Sequence, residues 1–161
     1  APDEMERIEK KPTLNVQAYN YYLQGREYYF SAFSTREGLE LATRMFEKAL
    51  EADSNFALAY AGLSDCYSSY VINSFDPKKS WLEKAEKAVL KALALDPDLA
   101  EAHRALSRLY WIEWKTERAI KEAEEAVKVN PNYGEAWRLL GQWYTGICQY
   151  TKAESSLMRA L

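Results

Sequence analysis

Pro97 and Pro131 stand 34 residues apart, and the same interval separates Ala92, Ala126 and Ala160 and separates Tyr110 from Tyr144. A chain that repeats itself at this period is built from units that cannot each bury their own apolar face, so it must fold by stacking them into an array. Two earlier copies keep the residue types at wider intervals, since Tyr28 to Tyr67 is 39 residues and Tyr67 to Tyr110 is 43. Six glycines and five prolines are too few for a turn-rich β-sandwich or barrel, which leaves helices as the repeated element.

The last copy holds Trp137, Leu140, Gly141, Tyr144, Ala153 and Ala160, and the copy before it His103, Leu106, Ser107, Tyr110, Ala119, Ala126 and Pro131. An earlier one reads Tyr60, Leu63, Ser64, Tyr67, Ala85, Ala92 and Pro97, and the first Tyr21, Gly25, Tyr28, Ala42, Phe46, Ala49 and Ser54. These residues at these spacings resemble the tetratricopeptide repeat (TPR), whose period is 34 residues. The resemblance implies an all-α solenoid, a right-handed superhelix of about four antiparallel helix pairs, each with a helix A and a helix B. In physical terms, aromatic and leucine side chains of helix A fill the interface while Gly, Ser or Ala lets the neighbouring backbone approach. Burying each large side chain is worth about 1.5–3 kcal/mol, realised only when a following repeat covers it.

Stop and start signals give the boundaries. Asp96-Pro97 and Asn130-Pro131 each end a B helix and lead into the next A helix. The pattern predicts helices at about 16–32, 35–52, 55–72, 77–95, 98–113, 116–129, 132–146 and 150–161. Repeats then fall at about 18–54, 55–97, 98–131 and 132–161, the last truncated, with residues 1–14 a solvated linker or the tail of a preceding segment. The extra residues of the first two repeats are assigned to the turn between A and B, where Ser34 and Glu37 form a capping box and Asp76-Pro77 opens a helix. The chain begins without an initiator Met, as a piece of a longer protein would. The final B helix has no polar helix after it, so Leu157, Leu161 and the aromatic side of 132–146 are expected to be partly uncovered.

Composition excludes several function classes. Twenty-one basic against 24 acidic residues give a net charge of −3, without the basic excess of a nucleic-acid binder. The longest apolar run, Phe56 to Leu63, is too short to span a membrane. Two cysteines 82 positions apart make no disulfide framework and fit a reducing compartment. His103, the sole histidine, occupies the aromatic slot of its repeat and is read as packing, because no acid or nucleophile stands at a recognisable spacing from it. Cys66 is read as a small buried hydrophobe, and Cys148 as a turn residue. No phosphate loop, nucleophile elbow or His-Glu-x-x-His occurs, so the expectation is no enzyme, no catalytic residue, no cofactor and no metal.

The N-terminal third carries a narrower likeness. Lys11-Pro12-Thr13, Asn15, Ala18-Tyr19, Tyr22-Leu23, Gly25-Arg26, Ala49-Leu50, Asp53, Phe56-Ala57 and Ala59 to Leu63 are similar to the repeat region of bacterial multidomain signalling proteins. In those proteins the region lies downstream of a kinase, nucleotide cyclase, winged-helix or TolB-like domain. The likeness implies a cytoplasmic, partner-binding role in a larger signalling protein, with self-association of the parent as the alternative.

The family resemblance also implies where a partner sits. Its concave groove is lined by A-helix residues two before and one, five and eight after the aromatic slot. Carried onto this chain, these include Tyr22, Arg26 and Tyr29 in repeat one, Asp65 in repeat two, Arg104, Arg108 and Trp111 in repeat three, and Arg138 and Gln142 in repeat four. Glu101 and Glu135 stand three residues before Arg104 and Arg138, close enough to pair on one face, whereas Arg26 and Arg108 have no such neighbour. Arginines beside the aromatic Trp111 suit a carboxylate and an apolar side chain, so the expected partner is a peptide or protein segment of acidic character. The family's Lys and Asn carboxylate clamp is absent. A homodimer through the uncovered C-terminal helices is the further expectation.

Overall fold

A computed structural model describes residues 12–32 and 34–160. Eight helices follow one another: α1 (Val16–Ala32), α2 (Arg36–Ala52), α3 (Ala57–Ile72), α4 (Lys79–Leu95), α5 (Ala100–Ile112), α6 (Thr116–Val129), α7 (Gly134–Gly146) and α8 (Tyr150–Arg159). Among the described residues there is no strand, and no helix is long and apolar enough to cross a membrane. Successive helices pair as α1/α2, α3/α4, α5/α6 and α7/α8, and each B helix packs on the A helix of the next pair. The A helices α1, α3, α5 and α7 also touch in series, while the B helices do not touch one another. Stacked pairs that meet along A and separate along B must curve, which puts the A helices on the inner face.

The repeat residues build three joints. Ala42, Phe46 and Ala49 of α2 meet Tyr22 of α1 and Leu63 of α3. Further on, Val89 and Ala92 of α4 pack with Ala102, Leu106 and Leu109 of α5, and Ala123 and Ala126 of α6 with Ala136 and Leu140 of α7. Alanine on the B helix lets the A-helix leucine come close, which is why the small residues recur as strictly as the large ones. Cys66 is fully buried in the first joint, and burial pushes its thiol pKa up.

Helix ends fall within two or three residues of the predicted ones, with two local corrections. The capping residue of α2 is Thr35, whose hydroxyl oxygen accepts from the Gly38 amide at 3.0 Å, and not Ser34. Helix α4 starts at Lys79, two residues beyond Pro77, because Asp76 is held outside it by Lys78 and the Trp81 side chain. The extra residues of the first two repeats are also placed differently. The turn from α1 to α2 spans only 33–35, as short as the 113–115 turn of the unstretched third repeat, and α1 to α4 are 16 or 17 residues long where α5 to α7 are 13 or 14. The insertion is mostly one added helical turn on each partner, and the rest of the second repeat's extra residues do lie in its longer 73–78 turn, as expected. Antiparallel helices that lengthen together keep their apolar faces matched, so a repeat can grow by a turn without a loop.

Of the expected linker, residues 1–11 lie outside the described part, and so does Leu161. Thr13 is not free: its hydroxyl donates to Asp53, and the Asn15 side chain donates to the Ala52 carbonyl at 2.8 Å. At the other end Leu157 is 41% and Met158 69% exposed, whereas Ala123 and Ala126, which stand 34 residues before Leu157 and Ala160, are fully covered by α7.

His103 does more than pack. Its Nε2 lies 2.9 Å from the Pro97 carbonyl oxygen, and one period later the Trp137 indole N–H donates to the Pro131 carbonyl at 2.8 Å. The aromatic slot thus supplies a ring N–H to the turn before its helix. In His103 the other nitrogen, Nδ1, faces Glu122 at 2.8 Å, and two acceptors on one imidazole favour the doubly protonated ring. Glu122 raises the His103 pKa above the ordinary 6.5 against the opposing effect of burial, with the Pro97 carbonyl assisting. A raised pKa contributes stability that is complete below 6.5 and lost as pH climbs through the folded-state value. We expect the wild-type denaturation midpoint to fall relative to His103→Trp as pH rises from about 5 to about 9. Parallel pH profiles for the two proteins would overturn this.

Candidate binding groove

The inner face carries a narrow cleft of about 30 Å³ that all four A helices reach. Its lining includes Tyr22, Arg26 and Tyr29 of α1, Asp65 of α3, Arg104 of α5 and Glu135 of α7. Five of the nine expected groove residues therefore come together there: Tyr22, Arg26, Tyr29, Asp65 and Arg104. Arg108, Trp111, Arg138 and Gln142 do not line it.

Asp65 is the centre of the arrangement. It is 6% exposed, and its carboxylate takes an ion pair from Arg104 through Oδ2. The Arg108 guanidinium stands 3.7 Å from Oδ1. Arg104 also donates from Nε to the Tyr133 hydroxyl at 2.9 Å and lies 3.9 Å from Glu135, to which that hydroxyl donates in turn. Arg108 donates to the Tyr29 hydroxyl and, at 3.0 Å, to Ser69 Oγ. Burial is the largest single influence on Arg104 and opposes its charge, but Asp65 together with Tyr133 and Tyr29 outweighs it and holds the guanidinium well above its ordinary pKa. The Tyr133 phenol is raised by burial, and Tyr22 is raised to about 12 by the same cause.

This geometry corrects four sequence-based expectations. Arg108 does have a partner, in Asp65 and two hydroxyls contributed by earlier repeats. The pairs Glu101–Arg104 and Glu135–Arg138 do not form among the described residues: Arg104 turns to Asp65, and Glu135 accepts from the Tyr133 hydroxyl and faces Arg104. Trp111 is not an open aromatic: it stacks on Trp143 at 4.2 Å with rings 9° apart, and the Trp143 indole is anchored on Ser107. Tyr22 lines the cleft but is buried, packed against the Phe46 and Phe56 rings. Arg26 does stay exposed, lying over the Phe30 ring at 5.0 Å, and Arg138 and Gln142 are exposed as well.

Two groove residues escape a reading of the groove positions alone. Tyr133 precedes α7, four residues before the aromatic slot, where the second and third repeats carry Phe56 and Leu99. A tyrosine in that apolar slot is the available signal, since its hydroxyl needs a buried partner. Ser69 sits one residue past the expected inner positions of α3.

No family model matches this sequence, and no curated protein matches it. Solved structures do. The PilF protein of Pseudomonas aeruginosa is similar with a TM-score of 0.66 and 22% identity over 90% of this chain, which spans 60% of that one. The first TPR of Spaghetti (RPAP3), bound to HSP90 peptide SRMEEVD, gives 0.63 and 19% over 83% of this chain and 98% of its own. TTC0263, a TPR protein of Thermus thermophilus, gives 0.62 and 17% over 89% and 90%. Likeness at this level shows the fold: an all-α TPR solenoid of about four repeats.

Proposed function

We propose that the chain is a protein-interaction scaffold that takes a peptide or protein segment in its concave groove. The observation that carries this is the cleft shared by all four A helices, which a segment lying across them can fill with one apolar side chain against Tyr29, Phe30 and Leu58. Acidic groups of the partner meet Arg26 and Arg138, the exposed groove arginines, and the floor arginine Arg108. The RPAP3 domain that holds an HSP90 peptide with two adjacent glutamates supports the mode, although the partner here is its own. The likeness of the N-terminal third to bacterial signalling proteins supports a cytoplasmic setting within a larger regulatory protein. No catalytic role is assigned.

Panning a displayed peptide library on the wild-type chain should select acidic peptides with a large apolar residue. Their binding should weaken about tenfold in Arg26→Ala/Arg138→Ala and with rising salt, and remain unchanged in Lys121→Ala on the outer helix α6. Equal binding by the groove variant and the Lys121→Ala control at low salt would overturn the reading. Self-association is the second reading, favoured by the exposed Leu157 and Met158. A mass in solution that stays monomeric at high concentration excludes it.

A further inference from the structure

The floor of the groove holds three charges that little water reaches: Asp65 and Arg104 line the cleft, and Arg108 stands beside Asp65 just outside that lining. The side chains of Arg104, Arg108 and Asp65 are 13%, 15% and 9% exposed. Two cations share one carboxylate, and the sharing is unequal. Arg104 has the hydrogen-bonded ion pair to Asp65 and a second carboxylate, Glu135, at 3.9 Å. Arg108 donates only to the neutral oxygens of Tyr29 and Ser69, with Asp65 Oδ1 at 3.7 Å and itself without a hydrogen bond. One positive charge therefore remains on the floor without a hydrogen-bonded counter-ion, and it is localised on Arg108.

We propose that Asp65 is the residue that sets the groove's specificity: by neutralising Arg104 internally, it limits the floor to a single partner carboxylate, received by Arg108. This rests on the concave groove being the binding face. The ligand class follows as a segment with one buried acidic side chain beside an apolar anchor, in contrast to a run of acids. A second carboxylate brought to the floor would meet Asp65, and like charges in a partly dry site repel. If the acid is removed, both arginines become available and the preference shifts to paired acids.

The test uses two end-capped, fluorescein-labelled peptides with an identical Ala, Ser and Phe background, one carrying a single glutamate and the other two adjacent glutamates. Anisotropy gives the ratio of their affinities for each protein, with folding checked by circular dichroism. Wild type should bind the two within about twofold, whereas Asp65→Asn should prefer the doubly acidic peptide by about tenfold, the worth of one charge-assisted hydrogen bond. Asp65→Asn/Arg104→Gln returns the floor to one cation and should return the ratio to the wild-type value. A merely structural Asp65 would lower both affinities together and leave the ratio alone. A folded Asp65→Asn with the wild-type ratio overturns the proposal and leaves the groove reading standing. If Asp65→Asn does not fold, the double variant decides, and a preference for two glutamates in it overturns the proposal. Peptide binding that is absent in wild type, or untouched by Arg108→Gln, overturns the groove reading and this proposal with it.

Discussion

Arg104→Met should destabilise the solenoid by about 3–5 kcal/mol, a large share of the roughly 5–15 kcal/mol that holds a domain of this size together. The methionine keeps the apolar stem and removes the charge, so the loss reports on partners left behind. Asp65 Oδ2 and the Tyr133 hydroxyl both lose their donor, and Asp65 is 6% exposed, too buried for water to replace it. The position also magnifies the effect. Asp65 is in the second repeat, Arg104 in the third and Tyr133 at the start of the fourth, while Arg108 reaches back to Tyr29, 79 positions earlier in the first. Solenoid repeats usually contact only their neighbours and can fray one at a time. Here a polar chain ties all four along the inner face. Urea denaturation should show the Asp65→Leu/Arg104→Met pair costing about 0.5–3 kcal/mol less than the sum of its single changes, because each single change strands a charge and the pair strands none on that bond. Additive losses would mean that the two residues are not coupled.

The architecture was readable because it depends on local spacing. A 34-residue interval, proline at the turns and alanine on the B helices reflect contacts between adjacent helices, and those contacts recur. The predicted ranges already make the helices of the first two repeats longer than the later ones, yet the repeat spacing alone assigns the extra residues to the turn, since a turn added to both partners leaves the apolar period unbroken. The groove was half legible. Helical spacing brought Arg104 and Asp65 to the inner face, but it could not pair them, because residues 39 apart meet only through the curvature of the stack. Arg108 looked unpartnered for the same reason: its hydroxyl acceptors stand 79 and 39 positions away, beyond any i,i+4 rule. The spacing puts His103 in the aromatic slot, yet its bond to Pro97 becomes legible only beside Trp137 and Pro131 one period later.

Phe46→Ala should cost about 3–5 kcal/mol, and its neighbours show why the site cannot collapse to recover it. Phe46 lies in α2, is 2% exposed, and is wedged between the A helices on either side. A Cβ on Gly25 of α1 would lie 2.8 Å from its ring, and one on Gly62 of α3 would lie 2.6 Å from it. Both glycines are absences shaped by one phenyl group, so deleting the ring leaves a void whose walls are backbone. Helical backbone can move inward only by shifting α1 or α3, and those shifts would disturb Tyr22 and Phe56, which pack with it. The converse change should also destabilise: Gly62→Ala with Phe46 intact overpacks the joint by about 1–3 kcal/mol. Because the two defects have opposite sign, Phe46→Leu/Gly62→Ala should be more stable than the sum of its parts predicts, by about 0.5–3 kcal/mol. Chemical denaturation of Phe46→Ala, Phe46→Leu, Gly62→Ala and the double variant measures all three quantities. A Gly62→Ala variant as stable as wild type, or strict additivity in the pair, would show that the ring does not fill the space the glycines leave.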